Sequence, residues 1–423
     1  MKKNLIIVTA FLINVMLLIS SCQKGIDKPF TVPEESSKAS NSNSKDNDKK
    51  VYVSSVDELY ASVNNTDNAG TDVILAPGTY VLSSSYPNGG RLELQTDMNL
   101  RGQPGQTDAV FIDQSSLPNA SFRLTPTVST GGIRVGRGSN SIEWLTLKGG
   151  ALAANPFSII ETDLIGTETH FTVSHVNIDC NGSRIGLMLR NRLDEHANRI
   201  VNASVEHTEI WGATNTNGFG IALQNRISGA KINLDMADNY IHGNKIAILS
   251  FNGGLSNAIQ NCKTQITSTR DRLEENGCAI DPSGATSGSV ATAANNNSFV
   301  MKMYGSSIRN NNPVGHPELI PANGALPGGV YVVGGFNSLN SANALNTVSN
   351  NKALLEFWGC DISNNNAPDF YAYGLWSVTS VVLAGTNNVV DIYLKGLSAN
   401  ATVDGYNSNP VEPSGTNVVN VYR

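Results

Sequence analysis

The segment Tyr240-Ile-His-Gly-Asn-Lys-Ile-Ala-Ile248 contains both patterns that decide the fold. The first pattern is an apolar anchor, Ile241, with an asparagine three residues later, and the second is an apolar–small–apolar triplet at 246–248. The first pattern recurs, in full or through its anchor alone, at Leu147, Ile178/Asn181, Ile210, Leu273/Asn276, Ile308/Asn311 and Ile362/Asn365. The second recurs at 185–187, 219–221, 278–280 and 373–375, with weaker members at 131–133 and 328–330.

The spacing of these patterns predicts a solenoid. The anchors from Leu147 to Leu273 are 31 or 32 residues apart, and a repeat of this length cannot bury its apolar face without stacking on its neighbours. Strict alternation, as over 299–303, sends every second side chain inward in a β-strand. We expect the asparagines to stack in one column and to occupy left-handed bends, where this residue type is tolerated. A β-sandwich also has many short strands, but it would not repeat two columns in a fixed order.

The beginning of the repeat region predicts a cap. Ser55 and Glu58 fit a capping box, and apolar residues at 56, 59, 60 and 63 follow helical spacing. Two strand-like segments follow at 72–82 and 97–102. This order resembles the entrance to right-handed parallel β-helices of the pectate-lyase-like superfamily. The resemblance implies an all-β chain with a single right-handed parallel β-helix over 51–423 and a short N-terminal capping helix.

The N-terminus resembles a bacterial lipoprotein signal peptide over residues 1–21. Lys2 and Lys3 precede an apolar run at 5–19, which is short for a membrane span. Two serines and then Cys22 follow, and the resemblance implies cleavage before Cys22 and acylation of its thiol. Residues 22–50 are polar and predict a disordered tether. Together these features imply a lipoprotein of the cell envelope, attached to the outer membrane, with either leaflet face possible.

Composition excludes some classes of protein. Hydrophobic residues make up 40% of the 423 residues, which is enough for a large core and excludes global disorder. The net charge of −6 and the lack of a basic block disfavour a nucleic-acid partner. Beyond Cys22 there are four cysteines. Cys278 and Cys360 are predicted to be core thiols, and a Cys262–Cys278 disulfide across one coil is the open alternative.

Motifs for a known activity are incomplete. Asp179-Cys180-Asn181-Gly182 and Ile241-His242-Gly243 match only fragments of the motifs found in hydrolases of this superfamily. The paired aspartates of those hydrolases are missing. No metal site and no cofactor are evident, and Ca²⁺ is suggested only by analogy with the fold. The resemblance therefore transfers a fold and no catalytic residue.

The strongest candidate site is aromatic. Outward positions before two successive anchors hold Lys302 and Tyr304, then Glu356 and Trp358. Outward positions after the small residue of the triplet hold Tyr331 and Trp376. Exposed aromatic faces beside charged groups suit sugar rings, so these six residues are glycan-binding candidates. The alternative is that a long loop covers these aromatic rings.

A weaker candidate is a polar ladder three residues before the anchors, formed by His175, His207, Asp238 and Arg270. Imidazoles next to a carboxylate suit proton transfer or metal binding. The alternative interpretation is a solvated column at a bend, in which the polar groups satisfy one another.

A third candidate is an arginine set, Arg190, Arg192 and Arg226, which could bind uronate carboxylates in pairs of hydrogen bonds. Neutralisation by the neighbouring Asp194 and Glu195 is the alternative.

These observations predict an envelope protein that binds an extracellular polysaccharide without catalysis. One alternative is a polysaccharide lyase or glycoside hydrolase that acts on an acidic glycan. The other is a structural envelope or adhesion protein. An enzyme should bring two or three titratable groups together in a groove, whereas a binding module should show aromatic residues along an open surface.

Overall fold

The computed structural model describes residues 49–117, 131–150, 158–162, 167–191, 199–215, 218–253, 258–284, 286–287, 293–321, 326–337, 348–366, 368–377, 385–398, 400–409 and 416–423. The predicted signal peptide, Cys22 and nearly all of the predicted tether lie outside these ranges. Within them, no helix has both the length and the apolar character needed to cross a bilayer.

The chain is a single right-handed parallel β-helix, as predicted. Its main surface is sheet A, which has 19 strands in the described ranges. Most coils give sheet A a long strand and then a short strand, separated by a kink. The long strands are Lys49–Val53, Thr71–Leu75, Asn99–Arg101, Ile200–Glu206, Lys231–Ala237, Lys263–Thr269, Ser298–Tyr304, Lys352–Trp358, Val389–Lys395 and Val418–Tyr422. The short strands are Gly78–Val81, Val110–Asp113, Glu209–Trp211, Tyr240–His242, Arg272–Glu274, Ser307–Arg309 and Asp361–Ser363, while Gly138–Lys148 and Glu168–Asp179 span both positions.

After a second bend, each coil enters sheet B, which has 11 strands in the described part of the chain. They are Leu92–Glu93, Gly131–Arg134, Ser158–Glu161, Ile185–Asn191, Phe219–Asn225, Ile246–Asn252, Cys278–Ser283, Thr286–Ser287, Gly328–Asn337, Phe370–Ser377 and Val403–Asn409. A small sheet C joins Ile259–Gln260, Ala294–Asn295 and Val348–Ser349. Short 3-10 turns occur at Thr66–Asn68, Pro87–Gly90, Thr107–Ala109 and Pro317–Leu319.

The predicted capping helix spans Val56–Val63. Ser55 is its N-cap, and its hydroxyl accepts a hydrogen bond from the Glu58 backbone N–H at 3.2 Å. The reciprocal bond of the predicted capping box is shifted by one residue, because the Glu58 carboxylate accepts from the backbone N–H of Ser54 at 2.7 Å. Leu59 and Val63 are fully buried, so the helix closes the N-terminal end of the core.

The anchor residues form one vertical column, which confirms the predicted repeat. Parallel pairing aligns each anchor with the anchor of the next coil, and all of them are fully buried. The column is Ile112, Leu147, Ile178, Ile210, Ile241, Leu273, Ile308 and Ile362. A parallel sheet spaces neighbouring strands by about 4.8 Å, so successive anchors contact one another directly.

The predicted asparagine ladder is present at Asn244, Asn276, Asn311 and Asn365. The backbone N–H groups of Asn244, Asn276 and Asn311 donate to the Oδ1 atom of the next asparagine at 3.1, 3.0 and 3.1 Å. Their side-chain amides donate to carbonyl oxygens of the preceding coil at 2.9–3.1 Å. The ladder thus satisfies backbone groups at a bend that would otherwise be buried without partners.

Two details of this ladder differ from the prediction. The left-handed residue is the one before each ladder asparagine, such as Gly243 (φ 60°) or Asn310 (φ 55°). Asn181 is not a rung of the ladder, since it occupies the left-handed position itself (φ 45°) and its amide donates to the Gly149 carbonyl. The coil of Ile178 has one more residue before this bend than the later coils have.

The triplet register is correct up to 328–330 and wrong at 373–375. Val330 pairs with Phe370, so the strand lies five residues away from the predicted alignment with Leu375. A second column of small residues explains the error. A Cβ atom at Gly334 would lie 2.8 Å from the carbonyl oxygen of Gly374, and one at Gly374 would lie 2.6 Å from that of Asn407. Both columns hold small residues, glycine or alanine, so the triplet pattern does not distinguish between them.

The four cysteines of the described ranges, Cys180, Cys262, Cys278 and Cys360, are buried free thiols. The alternative of a Cys262–Cys278 disulfide was therefore wrong. The two thiols belong to separate apolar clusters, and burial raises the pKa of Cys262 to about 12. Cys278 and Cys360 are core thiols, as predicted.

Candidate functional site

Four of the glycan-binding candidates form a surface that we call the aromatic patch: Lys302, Tyr304, Glu356 and Trp358. Parallel pairing places Lys302 next to Glu356 and Tyr304 next to Trp358. The two rings are 39% and 44% exposed, because both lie on the outer face of a long strand. Lys302 Nζ lies 3.3 Å from Glu356 Oε2, so the charges beside the rings are paired. The patch is an open surface with two adjacent aromatic rings.

The other two candidates lie elsewhere. Tyr331 is 2% exposed, so the expected outward exposure of its ring was wrong. Its hydroxyl has no hydrogen-bond partner among the described residues, and burial raises its pKa strongly. Trp376 was expected to pair with Tyr331, but it pairs with Phe336, and their rings stack at 4.9 Å. This shift follows from the register error in sheet B. Tyr331 cannot contact a ligand on the outer surface in this arrangement.

The polar ladder forms a surface column between the long and short strands, which we call the ridge. The ring of Trp144 stacks on His175 at 3.8 Å, and His175 packs against His207 at 4.6 Å. Two coils further, Arg270 makes a bidentate ion pair with Asp238, at 2.7 and 2.6 Å. Burial and the neighbouring His207 lower the pKa of His175, which favours its neutral imidazole. The polar groups of the ridge mainly satisfy one another.

The backbone of the ridge is left-handed. His175, His207, Asp238 and Arg270 have φ between 49° and 57°, a conformation that costs a residue with a Cβ atom about 1–2 kcal/mol. The same position in the next three coils holds Gly305, Gly359 and Gly396. Stacking offsets part of this cost in the early coils. The proposed role in proton transfer or metal binding stays a prediction. No group of three or more His, Cys, Asp or Glu side chains in the described ranges is placed to hold a metal ion.

The arginine set is split. Arg190 forms an ion pair with Glu161 of the preceding coil. Arg226 donates to Gln224 Oε1 at 3.1 Å and lies 4.7 Å from the ring centre of Phe251. Arg190 is in register with Gln224 and not with Arg226. The third member, Arg192, and the expected neutralising residues, Asp194 and Glu195, lie outside the described residues.

The sequence did not predict a cluster on the outer face of the short strands. We call it the short-face cluster, and it consists of Glu209, Trp211, Tyr240, His242, Arg272, Glu274 and Arg309. His242 Nε2 lies 2.9 Å from Glu209 Oε1, and the ring of His242 stacks on Tyr240 at 4.1 Å. The guanidinium of Arg272 also lies over the ring of Tyr240, 4.1 Å from its centre. Four successive coils thus bring aromatic, basic and acidic side chains together.

Glu274 is the electrostatic centre of this cluster. Burial alone would raise the pKa of Glu274, but hydrogen bonds from Arg272, Ser307 and Arg309 outweigh burial and lower it to about 2. The contacts with the two guanidinium groups are both 2.8 Å long. Arg309 also lies 3.3 Å from Asp361 of the next coil. The positive charges on this face are therefore neutralised within the protein.

A groove of about 460 Å³ begins where the short-face cluster ends. Residues at the second bend form one wall, and the segment 313–319 forms the other. The groove is lined by Thr214, Gly243, Glu275, Asn310, Pro313, His316, Glu318 and Leu319. His316 Nδ1 lies 2.8 Å from Glu318 Oε1, and this contact lowers the pKa of Glu318. The lining combines hydroxyl, amide, imidazole and carboxylate groups with an apolar floor.

The sequence contains a signal for the short-face cluster that the prediction did not use. Residues directly before and after each anchor point outward, because the anchor itself points inward. Around Ile241 and Leu273 these positions hold tyrosine, histidine, arginine and glutamate. The groove has no such signal, since the sequence does not show how the segment 313–319 folds back.

Comparison with solved structures gives only distant similarities. The A-module of the mannuronan C-5 epimerase AlgE4 of Azotobacter vinelandii is 11% identical, with 87% of this chain and 95% of that chain covered and a TM-score of 0.36. The A-module of AlgE6 from the same organism is 14% identical, with coverage of 84% and 96% and a TM-score of 0.32. An alginate lyase from a Paenibacillus species is 10% identical, with coverage of 85% and 97% and a TM-score of 0.25. No family model and no curated protein matches the chain.

Proposed function

We propose that this chain is a membrane-anchored protein of the cell envelope whose β-helix binds an extracellular polysaccharide without catalysis. The aromatic patch is the observation that supports binding most directly. Tyr304 and Trp358 are adjacent in register, and each leaves about two fifths of its surface exposed. Large exposed rings are costly to hydrate, so two side by side indicate a binding surface.

The chemistry of the patch suits a sugar chain. The C–H faces of a pyranose ring pack on aromatic rings, while its hydroxyl groups accept and donate hydrogen bonds. Lys302 and Glu356 supply one donor and one acceptor beside the rings. Because the equivalent strands of successive coils run side by side, a polymer can contact the same kind of position in one coil after another.

The anchor in this proposal comes from the sequence alone. Acylation of Cys22 would hold the protein at the outer membrane, and residues 22–50 would let the β-helix reach a polymer at some distance. A structural or adhesion role is the alternative that predicts no sugar binding at all.

Catalysis is the second candidate function. His242 and Glu209 form a pair of the base-and-orienting-carboxylate type at 2.9 Å, and the groove begins one residue after His242. This arrangement would suit a lyase or a glycoside hydrolase. The sequence motifs of these enzyme classes are incomplete, so binding is favoured.

A glycan array with detection of released products tests both candidates. We expect retention of at least one polysaccharide without new reducing ends or unsaturated products, with and without Ca²⁺. Product formation that is lost in His242→Ala would replace the binding proposal with an enzyme. The absence of both retention and products would leave the structural role.

A further inference from the structure

The groove at the second bend has the size and lining of a ligand site. Its volume of about 460 Å³ lies within the range of about 300–1,000 Å³ that is usual for small-molecule sites. Thr214 and Asn310 supply a hydroxyl and an amide, and Pro313 and Leu319 supply apolar surface. Polar groups beside apolar surface are the usual combination for a sugar ring.

Glu275 differs in type from the residues that occupy the same position of the second bend in the other coils. The left-handed residues at the second bend are otherwise Asn181, Gly212, Gly243, Asn310 and Asn364, all of which are glycine or asparagine. Glu275 has φ 58°, and its Cβ atom makes this left-handed conformation more costly than it would be for glycine. Its side chain lines the groove. The other coils build this bend with glycine or asparagine, so the bend itself does not require a carboxylate, and that of Glu275 also acts on Arg272 of the short-face cluster.

The charges around the groove disfavour an anionic ligand. Glu275 and Glu318 line it, and two basic groups, His316 and the nearby Lys245, act on Glu318. Arg272 and Arg309 of the adjacent short-face cluster are already paired with Glu274. A carboxylate on the ligand would meet two like charges, and among the described residues here Lys245 is the one cation that is not already paired with an acidic group. Hydroxyl or acetamido groups could instead donate to either carboxylate.

We propose that this groove is a second sugar subsite, continuous with the aromatic patch, and that it takes a sugar ring bearing hydroxyl or acetamido groups and no carboxylate. The inference rests on the proposed polysaccharide binding. Along the chain, Asn310 of the groove comes six positions after Tyr304 of the patch. Six residues of extended chain span at most about 20 Å, a length that about four sugar rings cover.

The test uses the full chain with two substitutions at Glu275. Glu275→Gly removes both the strain and the carboxylate, and Glu275→Asn keeps a residue type that the neighbouring coils use. Both are expected to fold, with Tm unchanged or raised by roughly 1–3 °C. Asn364→Gly is the matched control, because Asn364 has the same left-handed backbone (φ 58°) but does not line the groove.

Binding is measured by affinity electrophoresis in gels that contain polygalacturonate, its fully methyl-esterified form, or other uncharged polysaccharides. We expect binding to uncharged polymers, at least tenfold weaker binding in both Glu275 variants, and unchanged binding in Asn364→Gly. Preferential binding to polygalacturonate would overturn the inference but leave the proposed function intact. Unchanged binding by both Glu275 variants, together with weak binding by Trp358→Ala, would also overturn the inference and leave the proposed function intact. Failure of every polysaccharide to bind would overturn the proposed function as well.

Discussion

Asp271 is a buried carboxylate whose replacement should stabilise the protein. It is fully buried inside the coil, between the kink and the short strand. Its Oδ1 atom accepts from the backbone N–H and the side-chain amide of Asn239 at 2.9 and 2.8 Å, and its Oδ2 atom accepts from the hydroxyl of Ser268 at 2.5 Å. Burial raises the pKa of Asp271 to about 6, although these hydrogen bonds act in the opposite direction.

The sign and size of the effect follow from this shift. A pKa raised from 3.8 to about 6 means that the folded chain holds the proton more tightly than the unfolded chain. The stability from protonated Asp271 is present below about pH 4 and is lost as the pH rises to about 6. Above pH 6 the free energy of unfolding is lower by about 3 kcal/mol because Asp271 is ionised, at about 1.4 kcal/mol per pKa unit.

Asp271→Asn should therefore raise the free energy of unfolding by up to about 3 kcal/mol at pH 7.5, and by less than about 1 kcal/mol at pH 4. An asparagine can keep both hydrogen bonds from Asn239, and its amide can donate to Ser268. Urea unfolding of the full chain at both pH values measures the difference. Asp235→Asn is the control, since Asp235 is exposed on a neighbouring long strand and loses the same charge.

Two results would refute this reasoning. One is a lower free energy of unfolding for Asp271→Asn at pH 7.5. The other is a change that is equal at both pH values, or equal to that of Asp235→Asn. Either would mean that burial does not raise the pKa of Asp271 in the folded protein.

Three further predictions concern binding, stability and location. Trp358→Ala should weaken retention of any bound polysaccharide by about tenfold, or about 1.4 kcal/mol, whereas Tyr52→Ala, which removes an equally exposed ring near the N-terminal end, should leave it unchanged. Asn276→Ala should lower the free energy of unfolding by about 2–4 kcal/mol, because it leaves buried backbone groups without partners; urea unfolding would contradict this if Asn202→Ala, on the outer face, cost as much. Cys22→Ala should move the protein from the membrane fraction to the soluble fraction after cell lysis, and an unchanged distribution would refute the lipid anchor.

The sequence predicted the interior better than the surface. The anchor column follows from the need of each coil to bury its apolar side chains against the next, and this need leaves a regular spacing in the chain. The ladder at Asn244, Asn276 and Asn311 follows in the same way. The left-handed position was misassigned by one residue, because glycine, asparagine and glutamate all occupy it.

The candidate site was predicted only in part. Register on the long strands was sufficient to pair Tyr304 with Trp358. The same approach failed for Trp376, where two columns of small residues in one strand give indistinguishable patterns. A second ladder, at Asn297, Asn351 and Asn388, was also missed. It lies just before the long strands, at a corner whose spacing from the anchors varies with the length of the preceding loop.

The glycines that continue the ridge shape the path open to a long polymer. In the early coils, the stacked rings and the ion pair of the ridge project from the surface between the long strands and the short strands of sheet A. From Gly305 onward the ridge position is occupied by glycine and has no side chain. A stiff polymer could therefore lie flat across the coils of Tyr304 and Trp358, from the long strands to the short strands. In the earlier coils the imidazoles would hold it away from the sheet.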